Sequence, residues 1–267
     1  MLDQMFRRAE RTLLRGEVKL EDFLDIYGEG EIAKDKAYVE GREKIFSEQK
    51  KSPQQEETHK LATVFEGIMF EHGELSDWFG PDVETKKTSR YDDIRNGVDT
   101  VIEFADEEKN PMSHLALAVD VTFSSNTQDK FDRIRREIES DELAQVKYFD
   151  SRSREPLLAP RFVVGADPRT VKELGELWIE GKKRELGGHR VQLQILEEIL
   201  YQAEAFGAYA EKQGSDKVSM SYRKVEQIIR DILAEKQRSV EDSGERDNIF
   251  FYIKSTAEQF ADILKAS

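Results

Sequence analysis

The chain has 267 residues, of which 36% are charged and 38% hydrophobic, and its formal net charge of -14 leaves room for one large domain or a core with additions. The negative balance excludes nucleic-acid binding through overall charge, and the absence of cysteine excludes disulfides, thiolate zinc sites and cysteine nucleophiles. No apolar run reaches the roughly 20 residues of a membrane span, and the N-terminus lacks the apolar stretch of a signal peptide, so we expect a cytoplasmic protein without a membrane partner.

The first fifty residues are predicted as helices. Apolar residues recur at helical spacing up to Gly16, and a second short amphipathic segment ends at Gly28. A third, mostly polar helix is predicted over 32–49. A polar stretch around Pro53 then indicates a linker, so 1–50 is predicted as an N-terminal helical region.

The middle of the chain mixes helices and strands. A helix is predicted over 54–73, and its apolar face carries Glu66 at one edge. Strands are predicted, in chain order, over 82–88, 97–104, 114–124, 146–149 and 161–165, with a helix over 127–143. The alternation over 114–124 is the clearest strand pattern of the chain. Residues 51–167 are therefore predicted as an α/β core.

The last hundred residues are predicted to be helical. Asp167 and Pro168 have the order of a helix N-cap followed by a first-turn proline. Three further apolar helical patterns follow, separated by polar connections over 211–219 and 239–246. Region 168–267 is predicted as a C-terminal helical addition, and an alternative segmentation makes the last 80 or so residues a separate bundle.

Two predicted strands each carry a carboxylate where a core strand would be apolar. Asp99 opens the first and Asp120 interrupts the second. An ionised carboxylate in an apolar interior is costly unless a cation, a metal or hydrogen bonds compensate it. These two acids indicate a shared cation, and oxygen ligands favour Mg²⁺ or Mn²⁺.

The order of these elements and acids resembles the core of the PD-(D/E)XK nuclease superfamily over about residues 55–165. The resemblance implies an α/β fold with a mixed central sheet of the restriction-endonuclease-like type and helical N- and C-terminal additions. It also implies a metal-dependent phosphodiesterase of nuclease type that acts on nucleic acid. Glu66, Asp99 and Asp120 would bind the divalent ion, with Asp99 and Asp120 also counted as catalytic.

The third motif departs from that family. It reads acid, any residue, lysine there, whereas Thr122 stands at the lysine position here. Lys130 is the predicted electrostatic substitute, and Lys86 or Lys87 on the preceding strand are alternatives. Enzyme activity therefore stays open: the other hypothesis is a catalytically inactive nuclease-like core that binds protein or nucleic acid.

Further charged residues are candidates for partner contacts. Arg133, Arg136 and Arg161 are predicted to contact nucleic-acid phosphates through a local basic patch, although charged helix faces are more often only solvated. The helical flanks are the predicted surface for a protein partner. Asp92 and Asp93 fit a turn best, with a second metal-ligand role as the alternative.

Overall fold

The computed structural model describes residues 1–49, 52–81, 83–104, 113–119, 126–150 and 153–263. The helices are α1 (Leu2–Gly16), α2 (Leu24–Glu48), α3 (Pro53–Leu75), α4 (Asn126–Glu139), α5 (Pro168–Ile179), α6 (Lys183–Gly187), α7 (Val191–Gln213), α8 (Asp216–Ser239) and α9 (Asn248–Ile263). The strands are β1 (Val83–Lys87), β2 (Thr100–Phe104), β3 (Ser113–Val119), β4 (Ala144–Val146), β5 (Leu157–Ala159) and β6 (Arg161–Val164).

The predicted α/β fold with a mixed central sheet of the restriction-endonuclease-like type is wrong. Helices make up 70% of the structure, and the described strands are only three to seven residues long. The most extensive packing joins helices, namely α7 with α8 and α9, and α1 with α3. One apolar cluster accordingly runs from Met5 in α1 to Phe260 in α9. Helix–helix burial, rather than a sheet, organises the fold.

The strands form two small sheets that accompany the helices. In the first, the order is β1-β2-β3-β6, with antiparallel pairing except between β3 and β6. The register places Thr100 at the start of β2 opposite Leu117 near the end of β3. The second sheet pairs β4 with β5. The predicted strand over 146–149 is displaced, since β4 covers Ala144–Val146 and the backbone N–H groups of Lys147 and Tyr148 donate to the carboxylate of Asp92.

Side chains of α7 form hydrogen bonds with the backbone groups along the outer edge of β6. Gln202 accepts a hydrogen bond from the backbone N–H of Val163 at 2.9 Å and donates one to its carbonyl at 2.7 Å. Glu198 accepts from the N–H of Gly165 at 3.0 Å, and Gln194 donates to the carbonyl of Gly165 at 3.2 Å. These buried polar side chains replace a neighbouring strand, so the backbone groups of the edge keep their partners.

Lys147 joins the N-terminal region to the core. Its ammonium lies 2.6 Å from both Glu31 and Asp35 of α2, and 4.7 Å from the ring centroid of Tyr27. The hydroxyl of Tyr148 also donates to Asp35 at 2.7 Å. Burial works against the charged form of Lys147, but the two acids outweigh it and raise its pKa. The sequence alone gave no indication of this contact.

Local signals in the helical regions are confirmed. α1 ends at Gly16, and α2 contains one non-helical residue at the predicted break, Gly28, whose φ is 76°. The side chain of Asp167 caps α5 by accepting from the N–H of Thr170 at 2.8 Å. The predicted polar connection over 211–219 is much shorter, because α7 continues until Gly214 takes a left-handed conformation. The division into regions 1–50, 51–167 and 168–267 stays a prediction.

Candidate functional site

α3 presents Glu66 at the edge of its buried face. The helix begins with a capping box, in which Ser52 accepts from the N–H of Gln55 at 3.3 Å and the Gln55 side chain accepts from the N–H of Ser52 at 2.8 Å. Phe65 and Ile68 are fully buried, whereas the side chain of Glu66 keeps 21% exposure. The helix therefore fixes this carboxylate at the boundary between core and solvent.

β1 carries a lysine into the interior. Val83, Thr85 and Lys87 are the buried positions of this alternating strand. Lys87 is 5% exposed. Its ammonium lies 3.0 Å from a carboxylate oxygen of Glu66 and donates to the backbone carbonyl of Asp99 at 3.0 Å. The buried charge is thus compensated by oxygen atoms from two separate segments.

Two aspartates complete the acid–lysine cluster, which we define as Glu66, Lys87, Asp93 and Asp99. Asp93 belongs to a π-helical turn, Asp92–Asn96, and Asp99 directly precedes β2. A carboxylate oxygen of Asp93 lies 3.8 Å from the Lys87 ammonium, and the side chains of Asp93 and Asp99 are hydrogen-bonded to each other. The ammonium of Lys87 therefore lies near the carboxylates of Glu66 and Asp93 and contacts the backbone carbonyl of Asp99.

The environment moves the pKa values of the two aspartates in opposite directions. Burial, together with the nearby charges of Asp93 and Glu66, raises the pKa of Asp99 to about 8. Burial also acts to raise the pKa of Asp93, but Lys87 and Arg90 outweigh it and hold that pKa below its usual value. Asp99 is therefore the member of the pair that takes up a proton more readily, and such a separation is common at catalytic acid pairs.

A second cation connects the acid–lysine cluster to α2. The guanidinium of Arg90 donates to Asp93 at 2.5 Å and to Glu43 of α2 at 2.7 Å. Glu17, just after α1, also lies near Lys87 and Arg90, and its partial burial raises its pKa. Two N-terminal segments, α2 and the residue that follows α1, therefore contribute charges to the surroundings of the cluster.

The sequence-predicted site residues are only partly brought together. Glu66 and Asp99 meet at Lys87, and Lys130 of α4 acts electrostatically on Asp99. Asp120 lies outside the described residues, as does Thr122. The alternative helper Lys86 projects from the other face of β1 and forms an ion pair with Glu103.

Asp92 stabilises the turn that the sequence predicts around it. It is fully buried and accepts side-chain bonds from Ser89 at 2.7 Å and Asn96 at 2.7 Å. It also accepts from the backbone N–H groups of Lys147 at 2.7 Å and Tyr148 at 3.0 Å. Burial raises the pKa of Asp92. All four bonds hold chain segments together, so this carboxylate is structural.

A groove of about 580 Å³ lies between α4 and the turn at Gly97. We call this feature the α4 groove. Its basic lining residues are Lys130, Arg133, Arg136 and Arg161. Gly97 has a φ of 60°, and an added Cβ there would lie 2.6 Å from the Arg133 guanidinium. The left-handed backbone therefore favours glycine at this turn, and a larger residue would also require the end of the Arg133 side chain to move.

Arg161 occupies the floor of the α4 groove with only 2% exposure. Its guanidinium donates to Glu137 at 2.8 Å, to the backbone carbonyl of Asn96 at 2.8 Å and to the carbonyl of Gly97. These internal bonds make Arg161 a brace for the turn that leads to Asp99. Arg136, by contrast, is exposed.

From the sequence, Lys87 is predicted only as one alternative for the electrostatic helper, and Asp93 mainly as a turn residue. A signal for Lys87 was present in the alternation of β1, since Val83 and Lys87 share one face and a buried Val83 implies a buried lysine. A buried lysine in turn requires nearby acids. No comparable local signal exists for Asp93, because its neighbours are set by the three-dimensional path of the turn.

Within the described ranges, no group of three or more histidine, aspartate or glutamate side chains is arranged to hold a metal ion. No helix in the same ranges is both long and apolar enough to cross a membrane. Comparison with known proteins finds no matching family model, no matching curated protein and no matching solved structure. The acid–lysine cluster and the α4 groove are therefore the features whose chemistry bears on function.

Proposed function

We propose that the chain is a metal-dependent phosphodiesterase of nuclease type that acts on nucleic acid in the cytoplasm. Glu66, Asp99 and Asp120 are the proposed ligands of Mg²⁺ or Mn²⁺. The observation that supports the proposal best is that the carboxylate of Glu66 and the backbone carbonyl of Asp99, from separate segments, both contact the buried ammonium of Lys87. A place where the fold gathers oxygen atoms around a cation is also suited to a hard divalent ion.

The proposed ligands have the oxygen chemistry that such an ion prefers, and a third acid is needed besides Glu66 and Asp99. Glu66 and Asp99 supply carboxylate oxygens, and Asp120 follows Val119, the last residue of β3, in the sequence. Pairing of Thr100 with Leu117 places the described end of β3 beside the start of β2, next to Asp99. A bound ion would lower the pKa of a coordinated water and neutralise charge on a phosphoryl group.

Lys87 is suited to the electrostatic role that Thr122 cannot fill. Its positive charge is fixed by the acid–lysine cluster, whose carboxylates outweigh burial and raise the pKa of Lys87. Lys130, from α4, remains the second candidate, and it already acts on Asp99. A fixed ammonium beside the reacting phosphate would stabilise the negative charge that develops during transfer.

The direct test is cleavage of labelled single- and double-stranded DNA and RNA in the presence of Mg²⁺ or Mn²⁺. We expect Asp99→Asn and Asp120→Asn to abolish cleavage while circular dichroism stays unchanged. Glu84→Gln is the matched control, because Glu84 lies on β1 with 65% of its side chain exposed. Full cleavage by folded Asp99→Asn, or by folded Asp120→Asn, would remove this mechanism.

A second candidate is a non-catalytic module that binds protein or nucleic acid. It is favoured by one observation: Lys87 and Arg90 already neutralise acids of the cluster without a metal. For a protein partner, the helical flanks offer Ile45 and Phe46 near the end of α2, which are 48% and 39% exposed.

Thermal melting with and without Mn²⁺ separates the two candidates. An ion that binds the folded state alone raises the melting midpoint in proportion to the logarithm of its concentration. The phosphodiesterase predicts such a rise for the wild type and its loss in Asp99→Asn. The module predicts no rise at millimolar Mn²⁺.

A further inference from the structure

The α4 groove and the acid–lysine cluster share a border. Gly97 lines the groove and lies two residues before Asp99. Lys130 lines the groove and also acts electrostatically on Asp99. A chain-like ligand bound in the groove would therefore lie beside the cluster.

The basic residues of α4 form a stripe rather than a scattered set. Lys130, Arg133 and Arg136 repeat every three residues, so they lie along one side of the helix, each about 4.5 Å further along its axis than the last. A linear polyanion can place successive charges along such a stripe. A single compact anion would use only part of it.

The charges inside the groove favour an anion despite the acidity of the whole protein. Its acidic lining residues are Asp129, Glu137 and Glu142. Asp129 and Glu142 are exposed at the rim, and Glu137 is compensated by Arg161 at 2.8 Å and Arg133 at 3.6 Å. Burial and the neighbouring arginines lower the pKa of Arg133, which indicates an excess of positive charge that an anion would relieve.

We propose that the α4 groove binds backbone phosphates of a nucleic-acid strand adjacent to the phosphate at the acid–lysine cluster. Lys130, Arg133 and Arg136 make the phosphate contacts, while Arg161 braces the floor and contributes none directly. The substrate class is therefore a polynucleotide strand rather than a small phosphodiester. The adjacency of a reacting phosphate rests on the proposed phosphodiesterase function, whereas phosphate binding in the groove does not.

The test measures binding of a fluorescein-labelled single-stranded DNA by anisotropy over a series of salt concentrations, without divalent ions. The slope of log affinity against log salt concentration reports the number of phosphates contacted, at about 0.7 per phosphate for single strands. We expect Arg136→Gln to reduce the slope by about 0.7. Arg238→Gln, an exposed arginine on α8, is the matched control and keeps the wild-type slope.

The outcomes separate this inference from the proposed catalytic function. Reduced slopes in both Arg136→Gln and Lys130→Gln, with wild-type behaviour in Arg238→Gln, support the groove even if no cleavage is ever observed. Unchanged slopes in both folded variants overturn it, even if the wild type cleaves nucleic acid. An equal reduction in Arg238→Gln also overturns it, because binding would then follow the total charge of the protein.

Discussion

Replacement of Lys87 by methionine removes the cation at the centre of the acid–lysine cluster and keeps an unbranched apolar stem that is one atom shorter. The ammonium lies 3.0 Å from Glu66 and 3.8 Å from Asp93. At an effective dielectric constant of about 20, these separations correspond to gross attractions of about 5 and 4 kcal/mol. The cost of burying the ammonium offsets part of each, so the expected net loss of unfolding free energy is about 3 to 5 kcal/mol near pH 8.

The assay is urea denaturation followed by circular dichroism at pH 8 and at pH 6. We expect a smaller loss for Lys87→Met at pH 6, because carboxylates without the ammonium take up protons more readily and become neutral. Lys172→Met is the control, since the Lys172–Glu57 pair is about half exposed and contributes about 0 to 1 kcal/mol. A loss for Lys87→Met no greater than the control loss would refute the electrostatic account of the cluster.

Three further predictions concern the same fold. The pKa of Asp99 is raised from 3.8 to about 8, so the contribution of Asp99 to stability falls as pH rises between those values. The melting temperature of the wild type should therefore fall between pH 5 and 9, and the fall should be smaller in Asp99→Asn. Gln202→Leu leaves the N–H and carbonyl of Val163 without their partners and should cost about 2 to 4 kcal/mol in urea denaturation, whereas exposed Gln227→Leu should cost little. Lys147→Met should loosen α2 and speed its trypsin cleavage, detected by mass spectrometry; unchanged rates would contradict its anchoring role.

Local order in this protein was predictable where neighbouring residues determine it. The helix break at Gly28, the cap at Asp167 and the strand character near Ile102 all depend on residues close in sequence. Glu66 was also placed correctly at the edge of an apolar helix face. Periodicity is sufficient for such features because backbone geometry sets the spacing of side chains on each face.

The global class and most of the site required contacts between distant segments. Alternation indicated strands but not how small a part of the structure they form. It also placed a strand over 146–149, where the backbone N–H groups of Lys147 and Tyr148 donate to Asp92 instead. The role of Arg161 depends on its meeting the turn at Gly97, and Asp93 approaches Asp99 only because the π-helical turn aims it there. None of these meetings has a fixed spacing in the sequence.

The amide side chains along β6 have a consequence for assembly. An unpaired strand edge is a template on which another chain can add a strand. Here the outward backbone groups of Val163 and Gly165 are already bonded by α7, and the carbonyl of Arg161 accepts from the Tyr222 hydroxyl. A peptide cannot extend the sheet on this side without breaking those bonds. Among the described strands of this sheet, β1 forms the opposite edge, where strand addition would not meet the α7 side chains.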